Sequence, residues 1–233
     1  MNSFCYDGEW SRTFGLYITG KGQYDAPERD VEAIEVPGRD GTLLIDKGRF
    51  KNTSVTYSAF LRNRLRDRTI DIKSWLLSKT GYRKLYDTYD DRYFRLAAFT
   101  GPVSFYSELN RFGETDLVFD CLPMRYAFDG ERTVSFTASG TITNPEAFPS
   151  LPVFRVYGSG NCTLAIGGTS FVFSGVSEYV DFDCETMNAY KGPVSKNKET
   201  EVSGPLSIPA GKSSIDLGGG TARLDITPRW CTL

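Results

Sequence analysis

Apolar and polar residues alternate over short stretches of the chain, and this alternation predicts β-strands separated by turns. Within residues 55–61, Val55, Tyr57 and Ala59 fall on one side of an extended chain, with Thr and Ser between them. Such a pattern is typical of a strand with one buried face. An apolar run at 117–124 is predicted to form another strand. The first 130 or so residues are therefore expected to be mainly β structure.

One segment has the periodicity of a helix. Ile72, Trp75 and Leu76 are spaced so that they share one face of a helix, and Gly81 lies where a helix commonly stops. The pattern predicts one short amphipathic helix over residues 67–78, packed on a sheet.

The helical signal disappears after Thr133, and turn-forming residues separate short apolar runs up to the end of the chain. We predict a second, all-β domain over 131–233 that follows a first domain over 1–130. Its glycine clusters at 158–160 and 218–220 are interpreted as tight turns, and its polar segment 191–204 as a mobile loop. The candidate strands of this domain lie at 153–157, 162–166, 169–173, 178–182, 214–217 and 222–226.

Proline and two glycines mark a compact bend between apolar segments of the first domain. These residue types favour turns because proline fixes φ and glycine accepts positive φ. The bend predicts a hairpin but does not by itself indicate a function. Its residues are Pro37, Gly38, Arg39, Asp40 and Gly41, after Val36.

Composition limits the possible classes of protein. The 233 residues carry a net charge of −2, which disfavours proteins that attract nucleic acid or anionic lipid. No stretch approaches the roughly 20 apolar residues that span a bilayer, and the sequence predicts neither an export signal nor an anchor. The five cysteines are isolated in sequence, which favours reduced, buried thiols, although a bridge between Cys162 and Cys184 stays open.

The absence of histidine argues against most enzymes. Serine-histidine, cysteine-histidine and zinc-dependent chemistry all depend on histidine, so we expect no metal, no cofactor and no catalytic residues. Carboxylate chemistry stays open as an alternative, either at Asp90-Asp91 or at Asp181 with Asp183, because a retaining glycosidase needs only two carboxyl groups. A solvated surface is the favoured interpretation of both clusters.

Several motifs, in a fixed order along nearly the whole chain, resemble the distal tail proteins of siphophages or their prophages. The motifs in the first half are Phe4-Cys5-Tyr6-Asp7-Gly8, Val36-Pro37-Gly38-Arg39-Asp40-Gly41, Trp75-Leu76, Gly81-Tyr82-Arg83-Lys84-Leu85, the Asp and Tyr residues at 90–93, and Val118-Phe119-Asp120-Cys121-Leu122-Pro123. Those in the second half are Thr143-Asn144-Pro145, residues 152–160, Asp181-Phe182-Asp183-Cys184-Glu185 and Ile226-Thr227-Pro228-Arg229-Trp230.

The resemblance implies a mainly β fold. It implies an N-terminal β-sandwich-like domain with one short α-helix and a β-hairpin, and a C-terminal antiparallel β-sandwich of galectin-like or jelly-roll-like type. The N-terminal domain would form the ring, and residues 37–41 would be a structural turn motif of the family.

The resemblance also implies a role in the virion. The protein would be a structural hub at the tail tip, assembled in the bacterial cytoplasm as a hexameric ring, and in isolation two rings could stack back to back. Its partners would be the tail tube protein, the tape-measure protein and a tail-tip protein that binds receptor or acts as a tail-associated lysin. DNA would pass through the ring without sequence-specific contacts, and no part would insert into a membrane. An alternative is a carbohydrate-binding module for the host cell wall, with Tyr179 or Tyr190 in contact with saccharide.

Overall fold

The structure is a computed structural model that describes residues 1–20, 22, 25–62, 65–108 and 112–233. The chain divides into two compact units, Met1–Arg125 and Tyr126–Thr232. Each unit is mainly β, as predicted from the sequence.

Within its described residues, the first unit contains an antiparallel sheet, one α-helix and a separate hairpin. The strands of the sheet follow the order β2-β1-β7-β8-β10-β6-β3, and β9 also pairs with β10. Among the described residues, strands β4 and β5 pair only with each other. The elements are β1 (Phe4–Tyr6), β2 (Glu9–Trp10), a 3-10 turn (Ser11–Phe14), β3 (Leu16–Ile18), β4 (Arg29–Glu35), β5 (Thr42–Phe50), β6 (Thr53–Arg62), α1 (Leu65–Leu77), β7 (Arg83–Asp87), β8 (Tyr93–Ala98), β9 (Tyr106–Glu108) and β10 (Phe112–Ala127).

The helix packs on the sheet through the predicted stripe. Ile72, Trp75 and Leu76 are buried in the core of the first unit, which confirms the periodicity. The ring of Trp75 stacks on Phe4 at a centroid distance of 5.6 Å, and Phe4 stacks on Tyr57 at 5.0 Å. Burial of each such side chain contributes about 1.5–3 kcal/mol. The predicted alternation in β6 is also confirmed, since its apolar members face this core.

The second unit is a set of long antiparallel strands in the order β11-β18-β13-β14-β15-β16. In addition, β12 pairs with β18 and β17 pairs with β14. The elements are a 3-10 turn (Phe128–Glu131), β11 (Val134–Phe136), β12 (Gly140–Asn144), β13 (Val153–Ile166), β14 (Thr169–Asp183), β15 (Asn188–Lys191), β16 (Val194–Ser195), a 3-10 turn (Asn197–Glu199), β17 (Thr200–Ser203), β18 (Gly211–Thr227) and β19 (Cys231–Thr232).

The glycine clusters of this unit lie inside strands, so their interpretation as tight turns was wrong. Residues 158–160 belong to β13 and residues 218–220 to β18, and the register between these strands shifts on either side of Gly158. A Cβ atom on Gly158 would lie 2.2 Å from the carbonyl oxygen of Gly220. Glycine is therefore needed because two backbones approach each other closely. The six candidate strands consequently join in pairs as β13, β14 and β18.

The segment 191–204 is also more ordered than its polarity predicted, and the mobile-loop interpretation was wrong. Strand β17 pairs with β14 from Ser170↔Ser203 to Phe173↔Thr200. The side chain of Asn197 accepts a hydrogen bond from the backbone N–H of Ala189 at 2.6 Å. Backbone pairing holds this segment although its side chains are mostly exposed.

All five cysteines are buried and free, so the bridge between Cys162 and Cys184 does not form. Burial raises the pKa of both Cys121 and Cys184 to about 12, which keeps these thiols protonated. Among the described residues, no group of three or more metal-ligating side chains converges. In the same residues, no helix has the length and apolar character required to cross a membrane.

Candidate functional site

The bend predicted at residues 37–41 forms the tip of the hairpin between β4 and β5. The N–H of Arg39 donates a hydrogen bond to the carbonyl oxygen of Val36 at 3.1 Å, and Gly38 has a φ of +83°. Proline followed by a glycine with positive φ is the arrangement of a type II turn. Residues 36–41 are all exposed, so the turn presents its side chains to solvent.

The stem of the hairpin is held by ion pairs across its two strands. Arg29 pairs with Asp46, and Arg49 Nε donates to Asp30 Oδ2 at 2.8 Å. The hydrogen bond from Arg49 lowers the pKa of Asp30. A bond from the backbone N–H of Gly48, followed in size by that from Arg29, lowers the pKa of Asp46. These charged pairs join the two strands at the end of the hairpin opposite the turn.

The outer half of the hairpin is apolar on both faces. Directly opposed residues share a face, so Ile34 and Leu43 lie on one side, while Ala33 and Leu44 lie on the other. Leu44 has 63% of its surface exposed, and its neighbour Ile45 is also exposed. An isolated two-stranded hairpin is at best marginally stable in water, and contiguous exposed apolar surface marks a contact site. We therefore regard residues 31–45 as the candidate functional site and call them the distal hairpin.

The sequence contains a signal for this site that lies outside the turn predicted at residues 37–41. Leu43, Leu44 and Ile45 are consecutive, whereas a strand with one solvated face alternates apolar and polar residues. A consecutive run in a strand predicts apolar side chains on both faces. Only the structure reveals that neither face is covered by the part of the unit that the structure describes.

The two tyrosines predicted to contact saccharide lie near each other in the second unit. Tyr190 on β15 stands opposite Asp181, and Tyr179 precedes Asp181 by two residues on the same face of β14. The guanidinium of Arg155 lies 4.3 Å from the Tyr179 ring centroid, and Lys191 Nζ lies 5.1 Å from it. A groove of about 310 Å³ beside Tyr179 is lined by apolar side chains, including Val176 and Val194, together with polar and charged ones, including Lys191 and Glu199.

The carboxylates considered for catalysis are bound by arginines. Asp181 accepts two hydrogen bonds from Arg155, at 2.6 and 2.9 Å. Asp183 accepts a bond of 3.0 Å from Arg229. Neither carboxylate lines the groove beside Tyr179. These contacts are typical of pairs that hold strands together.

The other pair of carboxylates, Asp90 and Asp91, lies between β7 and β8. Burial disfavours the charged form of Asp90, but hydrogen bonds from Arg92 outweigh it and lower the pKa of this carboxyl. Arg125 also contacts Asp90 at 3.4 Å. Asp91 is exposed, as expected for a solvated surface.

Comparison with known proteins identifies a similar fold. No protein-family model matches the sequence, and no curated protein matches it. A solved structure does match over 100% of both chains, with a TM-score of 0.73 at 12% sequence identity. It is the SPP1 Dit (gp 19.1) protein, described as a paradigm of the hub adsorption apparatus in phages that infect Gram-positive bacteria. The predicted resemblance is confirmed at the level of the fold, and this chain has the fold of the SPP1 Dit protein along its whole length.

Proposed function

We propose that this protein is a structural hub at the tail tip of a long-tailed bacteriophage. Six copies would form a ring that joins the tail tube to the host-adsorption tip, with a central channel for DNA. The observation that carries this proposal is the match to the SPP1 Dit fold over the full length of the chain. The distal hairpin supports it independently, because it is an apolar surface that needs a partner.

The hairpin favours assembly through unlike surfaces. A projecting element on one copy contacts a different surface on the next copy, and such head-to-tail contacts generate a ring when the rotation closes. An interface of this type needs a central cluster of buried side chains, and an aliphatic anchor that fills a pocket can supply it. Leu44 and Ile45 have the size and exposure that this role requires.

Charge is consistent with a channel through which DNA passes. The net charge of −2 provides no general attraction to phosphate, so DNA would slide without tight binding. Sequence-specific contacts to nucleic acid and insertion into a membrane are not part of the proposal. The partners would be the tail tube protein, the tape-measure protein and a receptor-binding or lytic tail-tip protein. The protein would be assembled in the host cytoplasm and reside in the virion, and it would not be an enzyme.

The mass of the purified chain in solution tests this proposal. Light scattering coupled to size exclusion, over a wide concentration range, should reveal a species of six copies or of two stacked rings. Negative-stain images should then contain six-fold rings with an open centre. A strict monomer over the whole range would contradict self-assembly into a ring.

A matched pair of variants tests the part played by the hairpin. Leu44→Asp should abolish the large species, because the charge would have to be buried in the interface. Ile70→Asp is the control, since Ile70 is 67% exposed on α1, an exposure similar to that of Leu44. Both variants should retain the melting behaviour of the monomer. Equal assembly of the two would exclude the hairpin as the contact.

A second candidate function is recognition of host-wall saccharide by the second unit. The groove beside Tyr179 favours it, because apolar walls with a few polar groups are typical of ligand sites. Calorimetric titration with fragments of cell-wall polysaccharide tests it, with Tyr179→Ala as the variant that should lose binding. Identical heats from the wild type and the variant would exclude this groove.

A further inference from the structure

A small pocket lies beside the core of the first unit, next to the Asp and Tyr motif at 90–93. Its volume is about 40 Å³, and part of its wall is formed by the core residues Val55, Tyr57 and Leu85. None of the described residues that line it belongs to the distal hairpin. The pocket is therefore separate from the surface on which the proposed assembly depends.

Two arginines, Arg95 and Arg125, line this pocket, which we call the arginine pocket. Arg95 on β8 stands opposite the core residue Leu85 of β7, and only 9% of its surface is exposed. Arg125 lies near the end of β10, where its Nη1 donates to Asp90 Oδ2 at 3.4 Å. Its guanidinium carbon also lies 4.9 Å from the ring centroid of Tyr93. Residues of the motif at 90–93 thus hold one of the two arginines in place.

Both arginines have a buried N–H group without an acceptor. In the described part of the chain, Nη1 of Arg95 and Nε of Arg125 have no hydrogen-bond partner. A buried donor without a partner is costly, and more so when it is charged. Burial lowers the pKa of Arg95, and the neighbouring charge of Arg125 adds to this effect, whereas Asp25 opposes it as the smallest of the causes. The site therefore lacks negative charge where these donors meet it.

Two carboxylates also line the arginine pocket, but other donors already bind them. Asp87 accepts a hydrogen bond from the hydroxyl of Tyr57 at 2.7 Å and another from the backbone N–H of Tyr89 at 2.8 Å. Asp90 accepts a bond of 2.9 Å from Nε of Arg92. The two orphaned donors are consequently available to an acceptor from outside the described residues.

The size of the arginine pocket limits the chemical class of its ligand. A single water needs about 10–15 Å³ of such volume, so the pocket has room for about three non-hydrogen atoms. A carboxylate group has one carbon and two oxygens, whereas phosphate and sulfate have five non-hydrogen atoms. Its two oxygens accept hydrogen bonds from guanidinium groups, and these charge-assisted bonds are stronger than neutral ones.

We infer that the arginine pocket binds a carboxylate group, which accepts hydrogen bonds from Nη1 of Arg95 and Nε of Arg125. The group belongs either to an acidic side chain of another protein or to a small free acid, since both present the same two oxygens. The inference concerns the single chain and goes beyond the proposed hub function.

Titration of the full chain with acetate tests this inference. Acetate replaces chloride at constant pH and ionic strength, and proton–nitrogen NMR follows the Nε–H group of Arg125. This signal should shift in a saturable way, with an affinity in the millimolar range because acetate has only four non-hydrogen atoms. Inorganic phosphate should bind more weakly than acetate, because it is too large for the pocket.

Removal of one donor should weaken the binding of acetate. Arg95→Met should raise the dissociation constant at least about ten-fold, because a hydrogen bond to a charged group is lost. Without acetate, this variant should melt at or above the temperature of the wild type, since a buried charge without a partner does not stabilise the fold. A purely structural role of Arg95 would instead lower the melting temperature and leave the affinity unchanged.

Two further variants control for charge. Arg92→Met removes the same charge from an adjacent residue that does not line the pocket, and it should change the affinity by less than about three-fold, because exposed charges are screened. Arg125→Lys retains the charge but removes the Nε donor, and it should weaken binding as Arg95→Met does. Saturation transfer to the methyl group of acetate measures binding in this variant, which lacks the reporter N–H group.

A second titration distinguishes the two sources of the carboxylate. Its probe is N-acetyl-aspartate N-methylamide, which presents an acidic side chain on a blocked backbone. Tighter binding of this probe than of acetate supports the inference and assigns the site to an acidic side chain of a protein. Equal or weaker binding supports the inference and assigns it to a small free acid.

Three results would overturn the inference. The first is the absence of a saturable shift with either acid, in which case the pocket holds water only. The second is equal affinity of Arg95→Met and the wild type for acetate. The third is tighter binding of phosphate than of acetate, because the pocket would then not select a carboxylate by its size.

Discussion

The distal hairpin and the long strands of the second unit are both antiparallel and apolar, but their apolar side chains differ in burial. In β13 and β14, Phe154, Phe171 and Phe182 are buried together, with ring centroids 5.0 to 5.4 Å apart. In the hairpin, Leu43 and Leu44 face solvent. The second unit thus buries its aromatic side chains within the chain, whereas the apolar side chains of the hairpin stay exposed, which is why we propose a second molecule as their partner. A strand pattern therefore predicts that a face will be covered but does not identify what covers it.

We expect the largest loss of stability where two strand backbones of the second unit approach each other closely. A Cβ on Gly220 would lie 1.9 Å from the carbonyl oxygen of Ser159, so Gly220→Ala requires the backbones of β13 and β18 to separate. We expect a loss of more than about 4 kcal/mol in the free energy of unfolding of the second unit. Denaturant titration measures it. Gly160→Ala is the control, since the space around Gly160 is open and only its positive φ should cost about 1–2 kcal/mol.

The next largest loss of stability is expected from truncation of a buried aliphatic residue in the first unit, in contrast to truncation of an exposed one. Ile72→Ala opens a cavity in the core and should lower the free energy of unfolding by about 3 kcal/mol. Leu44→Ala should change it by less than about 0.5 kcal/mol, since Leu44 is exposed in the single chain. Denaturant midpoints measured on dilute protein compare the two. Similar losses would mean that the hairpin is covered within its own chain.

The turn at the hairpin tip should have an intermediate effect. Gly38→Ala places a Cβ at a φ of +83° and should destabilise the hairpin by about 1 kcal/mol. Gly38→Asn should recover part of this loss because asparagine tolerates positive φ. Hydrogen exchange of the Arg39 amide, which donates to Val36, reports the opening of the turn. Unchanged exchange in Gly38→Ala would show that the turn does not hold the hairpin.

The smallest effect should come from the charged stem. Because the folded pKa values of Asp30 and Asp46 are lowered, their ion pairs stabilise the hairpin above the unfolded carboxyl pKa of about 3.9. This contribution is lost as the pH falls through the folded values. Carbon NMR of the side-chain carboxyls should therefore give a pKa below about 3.9 for both.

Removal of Arg49 tests which contact lowers the pKa of Asp30. Arg49→Ala should raise the pKa of Asp30, since the bond from Arg49 is the largest cause of its lowering. The pKa of Asp46 is the internal control and should stay low, since Gly48 and Arg29 set it. A low pKa for Asp30 without Arg49 would contradict the ion-pair explanation.

Local patterns in the sequence were sufficient to predict several elements of the fold. The spacing of Ile72, Trp75 and Leu76 fixes which face of α1 is buried, and alternation fixes the inner face of β6. Proline and glycine at 37 and 38 specify a turn. In each case the determining interactions span only a few residues, so a short window contains the necessary information.

Longer-range features needed the tertiary structure. The glycines at 158 and 220 were misinterpreted because their role depends on a backbone approach between strands about sixty residues apart. The segment 191–204 looked like a loop because its pairing with β14 uses backbone groups that side-chain composition does not reveal.

The β character of the chain, its predicted helix and the position of its exposed turn follow from the sequence alone, since hydrophobic spacing and turn chemistry act locally. The tertiary structure was needed to show that the described residues leave the apolar faces of β4 and β5 uncovered and that Phe60, Tyr106 and Phe112 line an open groove on the same unit. Burial is a property of the whole arrangement of strands, because whether an apolar side chain meets solvent depends on residues that are distant in sequence.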